Sequence, residues 1–271
     1  MIARRDLHVS VTARDDLSPT CFRLTASSAA DLVAEPGQFG MLTCAEDCDP
    51  LLRRAFSFAG VARRSSETVI EFLLKEVGRG TGRLRRVRPG ETLRLLAPLG
   101  HGFTLAAEAS ERLALVAGGI GLPPLLFAAE RLAASGSPFD LFLGAATAAE
   151  LLEVERCAAA TAAVGGELVL ATDDGSCGEG GLITAALARR LRAGRCWARV
   201  LACGPDAMLK ALARLAQDAG LEAELSLEEP MACGLGVCLG CVIELADGRV
   251  VPSCQEGPVF PVARLAARWW T

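Results

Sequence analysis

Four cysteines near the C-terminal end have the spacing of a metal site. Cys233, Cys238, Cys241 and Cys254 read C-x4-C-x2-C-x12-C. The first three match the run that holds a [2Fe–2S] cluster, whose fourth ligand comes from further along the chain. Two tetrahedral irons bridged by two sulfides need four thiolates, which this set supplies. Gly234, Gly236 and Gly240 lie between the ligands, as suits a loop whose N–H groups must approach sulfur closely. A structural zinc site or disulfides are the alternatives. Zinc sites usually pair C-x2-C with a second C-x2-C or an H-x3-H. Here there is one such pair, and no histidine follows His101. Disulfides need an oxidising compartment, to which nothing in the sequence points.

Other stretches carry chemistry of a different kind. Arg53-Arg54-Ala55-Phe56-Ser57-Phe58 opens a strand after a loop. An arginine here can pair with a phosphate, an aromatic can lie on a flat ring and a hydroxyl can donate to a ring nitrogen. The same residues also suit a plain barrel strand with Phe56 in its core. In Gly78-Arg79-Gly80-Thr81-Gly82 the glycines expose backbone N–H groups and Thr81 adds a hydroxyl. That makes either a pyrophosphate cradle or an ordinary hairpin turn. Gly118-Gly119-Ile120-Gly121-Leu122-Pro123-Pro124 sits between an apolar strand and a helix. It is not a full G-x-G-x-x-G, but it shares the logic of bringing amides and a helix start to a dinucleotide phosphate.

Thr172-Asp173-Asp174-Gly175-Ser176 ends a strand, where open α/β sheets bind ligands. Carboxylates there accept from ribose hydroxyls and repel a 2′-phosphate. No Lys or Arg occurs between Glu167 and Ala188, so NAD(H) is expected rather than NADP(H). A helix cap is the plainer reading of the same aspartates. Cys203-Gly204-Pro205-Asp206 ends another strand. It either points Cys203 into a cleft or buries it as a small apolar residue. His8 and His101 belong to no Ser/His/Asp or metal-ligand pattern, and hydrolytic chemistry is not expected.

Positioning these residues requires two kinds of architecture. Up to about residue 100 the strand-like runs are 7–13, 22–25, 39–43, 56–59, 68–74 and 92–96, with turn signals between them. That spacing predicts a small closed β-barrel. From Arg112 strands alternate with helices. Strands are predicted at 113–117, 139–145, 167–172, 199–203 and 222–227, and helices at 123–135, 150–163, 182–191 and 206–219. This is the pattern of a parallel sheet covered by helices. The expected division is a barrel at 1–108, an α/β domain at 109–227 and a small cluster domain at 228–271.

With 271 residues and a net charge of −4, and without any basic run, the chain does not read as a nucleic-acid binder. Its most apolar stretch, 113–129, is broken by glycines and two prolines and is too short for a comfortable membrane span. The N-terminus lacks the apolar run of a signal peptide. Eleven cysteines without such a signal suggest a reducing cytoplasm and metal chemistry. Of the seven outside the motif (Cys21, Cys44, Cys48, Cys157, Cys177, Cys196 and Cys203), most are expected to be small apolar fillers. Trp269-Trp270 suit either an interface anchor or a cap on a small core.

Taken in this order, the stretches resemble the ferredoxin–NADP reductase superfamily over essentially the whole chain. Within it they are most similar to the electron-transfer subunits of class 1B dihydroorotate dehydrogenases, which add a C-terminal [2Fe–2S] domain. The resemblance implies a flavin-binding β-barrel, a nicotinamide-binding α/β domain and a cluster domain, with FAD, NAD and [2Fe–2S] as cofactors. It places Arg54 on the FAD pyrophosphate, Phe56 near the isoalloxazine, Ser57 near its N5, and Gly80-Thr81 at a second flavin-phosphate contact. Gly119 and Gly121 match the nicotinamide dinucleotide turn, and Cys203, Gly204 and Pro205 the segment facing the nicotinamide. Cys233, Cys238, Cys241 and Cys254 match the cluster ligands. Ala55 departs from the pattern, since many relatives carry proline there. The implied partner is an FMN-containing catalytic subunit in a cytoplasmic heterotetramer that serves pyrimidine biosynthesis. Reductase subunits of other complexes are the alternative: reduced ferredoxin:NADP oxidoreductase, sulfhydrogenase or sulfite reductase types. The first of these tends to carry Asp at the first cluster position, and Cys233 argues against it.

Overall fold

A computed structural model describes residues 4–44, 49–105 and 111–270. Cys48 and the expected boundary at 108/109 lie outside them. Both predicted architectures, the β-barrel and the α/β parallel sheet, are present.

The barrel strands are β1 (Arg5–Asp16), β2 (Cys21–Ser28), β3 (Phe39–Leu42), β4 (Arg54–Ser57), β5 (Gly60–Arg64), β6 (Glu67–Lys75) and β7 (Thr92–Leu99). They form one antiparallel sheet in the order β4-β3-β7-β1-β2-β6-β5. Alternation drives it: Leu7, Val9 and Val11 of β1 turn inward while their neighbours stay outside. The two ends of the order, β4 and β5, follow one another through Phe58-Ala59. Phe58 N–H donates to Gln38 O (3.3 Å) and Ala59 N–H donates to Glu71 O (2.8 Å). One bent strand therefore leaves β3 and joins β6, and the chain itself closes the ring. The short helix α1 (Arg79–Leu84) plugs the path from β6 to β7.

The second unit runs β8 (Leu113–Gly118), α2 (Leu122–Ser135), β9 (Phe139–Ala145), α3 (Val154–Ala163), β10 (Leu168–Thr172), β11 (Glu179–Gly180), α4 (Ile183–Arg192), β12 (Arg199–Cys203), α5 (Asp206–Ala219) and β13 (Ala223–Ser226). The hairpin β14 (Val242–Glu244) and β15 (Val250–Pro252), helix α6 (Ser253–Glu256) and strand β16 (Val259–Pro261) follow. The second sheet has the order β11-β10-β9-β8-β12-β13-β16, with β16 antiparallel to β13. The cysteine-bearing segment is thus stitched back into the α/β sheet. From β8 the chain winds outward through β9 and β10, then returns to the other flank at β12. The crevice between the carboxyl ends of β8 and β12 is the switch point at which such sheets bind ligands.

Helix α2 fixes the barrel to this crevice. Pro123 and Pro124 start it, Gly136 ends it in a left-handed conformation, and its Phe127 is buried in the barrel core. Burying such a side chain contributes roughly 1.5–3 kcal/mol. Leu122 and Leu125 share a core with Ala59 and Leu73 of the barrel. A polar clasp lies alongside. Arg156 on α3 donates to Glu71 on β6 (2.9 Å) and to Glu130 on α2 (2.7 Å), and Arg23 on β2 pairs with Glu153 (2.9 Å). At the C-terminal end Trp270 is buried in the core of the second sheet, and its Nε1 donates to Gln217 (3.2 Å). Of the two readings open for this tryptophan, capping a core is the one the structure supports.

Candidate functional site

One cleft of about 920 Å³ runs between the barrel and the carboxyl ends of the parallel strands. It is at the upper end of the usual range for small-molecule sites, about 300–1,000 Å³. Arg54, Phe56, Ser57, Gly80 and Thr81 line one wall; Gly119, Gly121, Asp173, Cys203, Gly204 and Pro205 line the other.

On the barrel wall β4 is half-buried along its whole length, so its inner face is left open to the cleft. Phe56 stands edge-on to Phe72, with ring centroids 6.4 Å apart. Arg54 is held from behind by donating to Leu52 O (2.6 Å). Next to it the glycine-rich turn becomes the first turn of α1, not a hairpin. The Thr81 hydroxyl accepts N–H from Val77 (2.9 Å) and Gly78 (3.1 Å) and donates to Gly78 O (3.1 Å). Its capacity is used inside the turn. What α1 offers the cleft is therefore the first-turn amides of Arg79, Gly80 and Thr81, which no preceding helical carbonyl can satisfy. These residues fit a flavin nucleotide: an aromatic and a hydroxyl for the ring, an arginine and free amides for the phosphates.

The opposite wall is backbone packed on backbone. Glycine is required at Gly121, where a Cβ would collide with the Cys203 carbonyl oxygen and the Gly204 nitrogen. The turn after β8 and the turn after β12 thereby meet in the switch-point crevice. Burial pushes the Cys203 thiol up to about 12, against a hydrogen bond with Ser226 that pulls the other way. At neutral pH it is a neutral, small group facing the cleft. At the end of β10 the two aspartates have separate roles. Asp174 accepts the Ser176 hydroxyl (2.6 Å) and N–H (3.0 Å), so it shapes the turn, while Asp173 lines the cleft. The next cations along the chain, Arg189 and Arg190, are both paired with Glu179. A carboxylate placed here can accept hydrogen bonds and would repel a phosphate.

The cysteine loop follows β13. Cys241 and Cys254 are buried, Cys233 is half-buried and Cys238 is exposed. Main-chain N–H groups of Cys238 and Leu235 pull the Cys233 thiol down to about 6, with Leu235 N 3.3 Å from Cys233 Sγ. Burial, and then the neighbouring Cys241, push Cys254 up to about 11. The side chains of Cys233 and Cys238 contact each other, as do those of Cys241 and Cys254. Among the described residues no three His, Cys, Asp or Glu side chains converge on one metal ion. Four thiols carried on one loop suit a [2Fe–2S] cluster, which takes four cysteine ligands. The buried pair packs in a small core with Phe39, Met41 and Leu99 of the barrel, against which Ala55 and Met231 also lie. Phe39 and Met231 line the cleft as well.

Sequence reasoning passed over several cleft residues. Ile183, Ser226 and Glu228 all line it. Applying the rule about strand carboxyl ends to β9 and β13, and not only to β8, β10 and β12, points to Gly144–Ala146 and to Ser226–Glu229. Among the six described cysteines outside the loop, Cys21, Cys44 and Cys157 are the buried fillers expected; Cys177 and Cys203 are half-buried and Cys196 is exposed.

Comparison with known proteins agrees with this geometry. The profile of the iron–sulfur cluster binding domain of dihydroorotate dehydrogenase B matches residues 228–266. The dihydroorotate dehydrogenase B (NAD(+)) electron transfer subunit of Geobacillus thermodenitrificans is 38% identical over 266 residues, 96% of this chain and 97% of the relative. That of Desulforamulus reducens is 38% identical over 84% of this chain and 86% of the relative. Among solved structures, that of an NADH-dependent reduced ferredoxin–NADP oxidoreductase superposes with a TM-score of 0.82 at 25% identity, covering 97% of this chain and 91% of that one. A ferredoxin NADP+ reductase from Neisseria gonorrhoeae with bound FAD and NADP shares the fold, with a TM-score of 0.66 at 19% identity over 79% of this chain and 92% of that one. The chain belongs to the family of dihydroorotate dehydrogenase B (NAD(+)) electron-transfer subunits.

Proposed function

We propose that this chain carries electrons from the FMN of a dihydroorotate-oxidising catalytic subunit to NAD+, through a [2Fe–2S] cluster and an FAD, in pyrimidine biosynthesis. One observation carries the reading. The buried cysteine pair and the cleft share a wall, since Phe39 and Met231 belong to both. A group held by the loop and a ring lying on β4 are then neighbours, as single-electron transfer requires.

The residues divide the work. Cys233, Cys238, Cys241 and Cys254 hold the cluster. Arg54 and the amides at Gly80 and Thr81 hold the FAD phosphates, with Phe56 and Ser57 against the ring. Gly119 and Gly121 seat the NAD pyrophosphate, Asp173 takes a ribose, and Cys203, Gly204 and Pro205 face the nicotinamide. When bound, the flavin supplies the exchange between a hydride and single electrons. The protein's part is placement in a cleft whose walls are held by packed backbone. By function the chain divides into 1–108, 109–227 and 228–271, with β16 tying the last part to the second. Exposed Leu235, Val237 and Leu239 surround the exposed Cys238 and form the face through which the catalytic subunit delivers electrons. The assembly is a cytoplasmic heterotetramer of two such chains with two catalytic subunits. Among the described residues no helix is long and apolar enough to cross a membrane.

The test is reconstitution. Purified anaerobically by itself, the chain is expected to show flavin and iron–sulfur absorption and to reduce artificial acceptors with NADH. Dihydroorotate-dependent NAD+ reduction is expected only after the catalytic subunit is added. Dihydroorotate turnover by the chain alone, or a chain without flavin, overturns the reading.

A further inference from the structure

We infer that Ser253 and Gln255 donate hydrogen bonds to the sulfurs on the buried side of the cluster and so set the potential at which it accepts an electron. This rests on the loop being a [2Fe–2S] site. Among the described residues three buried side-chain polar atoms have no hydrogen-bond partner. Two of the three, Ser253 Oγ and Gln255 Nε2, belong to the residues on either side of Cys254. An unpaired buried donor is costly, so such a group points to a partner.

Their placement says which partner. Ser253 is fully buried, and its N–H donates to Cys241 O (2.8 Å), which sets it between the two buried cysteines. Gln255 Oε1 accepts from Arg4 Nη2 (2.5 Å). An arginine can only donate, so this contact identifies the oxygen and leaves Nε2 as the orphan. The Gln255 side chain packs on Gly236, with Cγ 2.5 Å and Nε2 3.6 Å from where a Cβ on Gly236 would stand. Gly236 N–H in turn donates to Cys254 Sγ (3.2 Å). On the exposed side the donors to Cys233 are main-chain amides, which any sequence supplies. On the buried side the two orphans are side chains, which a substitution can remove. Thiolate and sulfide sulfurs are acceptors, and reduction adds negative charge to them. Donors aimed there favour the reduced state and raise the potential.

The experiment uses the full chain, purified anaerobically, with iron and acid-labile sulfide counted per chain and the cluster midpoint potential read by EPR-monitored titration. Ser253→Ala and Gln255→Met are each expected to make reduction about tenfold harder, a downward shift of 59 mV for a one-electron couple. Ser253→Thr, which keeps the hydroxyl, is expected to titrate with the parent. Loaded variants that both titrate with the parent overturn the inference, and such a result assigns the orphans to buried water. A shifted Ser253→Thr overturns it for Ser253. If Ser253→Ala holds no cluster, Gln255→Met and Arg4→Met decide, and unchanged potentials in both overturn it. A parent chain without an iron–sulfur spectrum overturns the reading of the loop instead.

Discussion

The cleft and the cysteine loop solve two binding problems with opposite materials. Much of the cleft's lining is main chain at glycine-rich turns. Its α/β wall is made where two turns approach so closely that Gly121 admits no side chain, and its barrel wall offers the amides of α1. The loop is made of side chains, with four sulfurs on a segment whose Leu235, Val237 and Leu239 remain exposed. Nucleotides that bind reversibly need a shape that exists before they arrive. A metal cluster forms its own strong bonds and needs only donors in reach. Substitutions in the loop should therefore remove one group and leave the rest, whereas substitutions at the packed turns of the cleft should spoil geometry without removing any donor.

The largest effect expected is at Cys254. Cys254→Ser should bleach or shift the iron–sulfur absorption on the order of 400–600 nm while flavin and NADH-dependent dye reduction persist. Visible spectra before and after addition of NADH measure both. An unchanged cluster spectrum would show that Cys254 is not the fourth ligand; loss of flavin as well would show that loop and cleft do not fold as separable sites. The converse substitution is Gly121→Val. Its side chain meets main chain, which cannot swing aside, so the turns after β8 and β12 must part. Misplacement by about 1 Å can cost on the order of a hundredfold in rate. Stopped-flow flavin reduction by NADH should fall by about that factor with the cluster spectrum intact. A rate within threefold of the parent breaks the argument from close packing.

The contrast also explains what the sequence disclosed. Thiol spacing is a local property, so the loop was legible residue by residue. The parallel strands were legible too, because each is an apolar run bounded by turn residues. β5 was not: in Gly60–Arg64 only Val61 is buried, and an arginine-rich strand with one inward residue shows no alternation. Helix α1 was hidden for another reason. Its sequence Arg-Gly-Thr-Gly-Arg-Leu has poor helix propensity, and the turn is held by the Thr81 hydroxyl, which accepts two hydrogen bonds and donates one and which no periodicity reveals. A cleft residue such as Glu228 follows a strand end but belongs to no motif. The return of β16 to pair with β13 is a long-range contact without any local signature.

A moderate effect concerns the thiols outside the loop. Cys203 and Cys157 are both pushed up to about 12 by burial, from an ordinary value of 9.0. A raised folded value means that the folded state holds its proton more tightly than the unfolded state. Their contribution to stability is therefore complete below pH 9 and is lost between pH 9 and about 12. Denaturant midpoints should be flat up to pH 9 in this respect and fall above it, and less steeply in Cys157→Ala. At pH 8, iodoacetamide followed by mass spectrometry should label exposed Cys196 and leave Cys203 and Cys157 unmodified until the chain is unfolded. Rapid labelling of Cys203 in the folded chain would mean a thiolate in the cleft and would remove the neutral group assigned to the nicotinamide side.

The smallest effect expected concerns cofactor choice, where the cleft relies on charge and not on shape. Asp173 lines the cleft at the end of β10, and the next cations along the chain, Arg189 and Arg190, are paired with Glu179. A 2′-phosphate placed there meets a carboxylate. Because the site is open to water, one such charge contributes at most about 1 kcal/mol. Asp173→Asn should therefore raise the NADPH-to-NADH ratio of kcat/KM by about fivefold at low salt, mainly through the KM for NADPH, with little change in the NADH rate. The increase should shrink as ionic strength rises, since exposed charges are screened over about 10 Å at 0.1 M salt. Adding a cation goes further than removing the anion, so Asp173→Arg should exceed Asp173→Asn in the same ratio. If neither substitution moves the ratio, selectivity lies in the packed turns after β8 and β12. The cleft would then discriminate by main-chain shape alone, which takes its contrast with the side-chain chemistry of the loop to the limit.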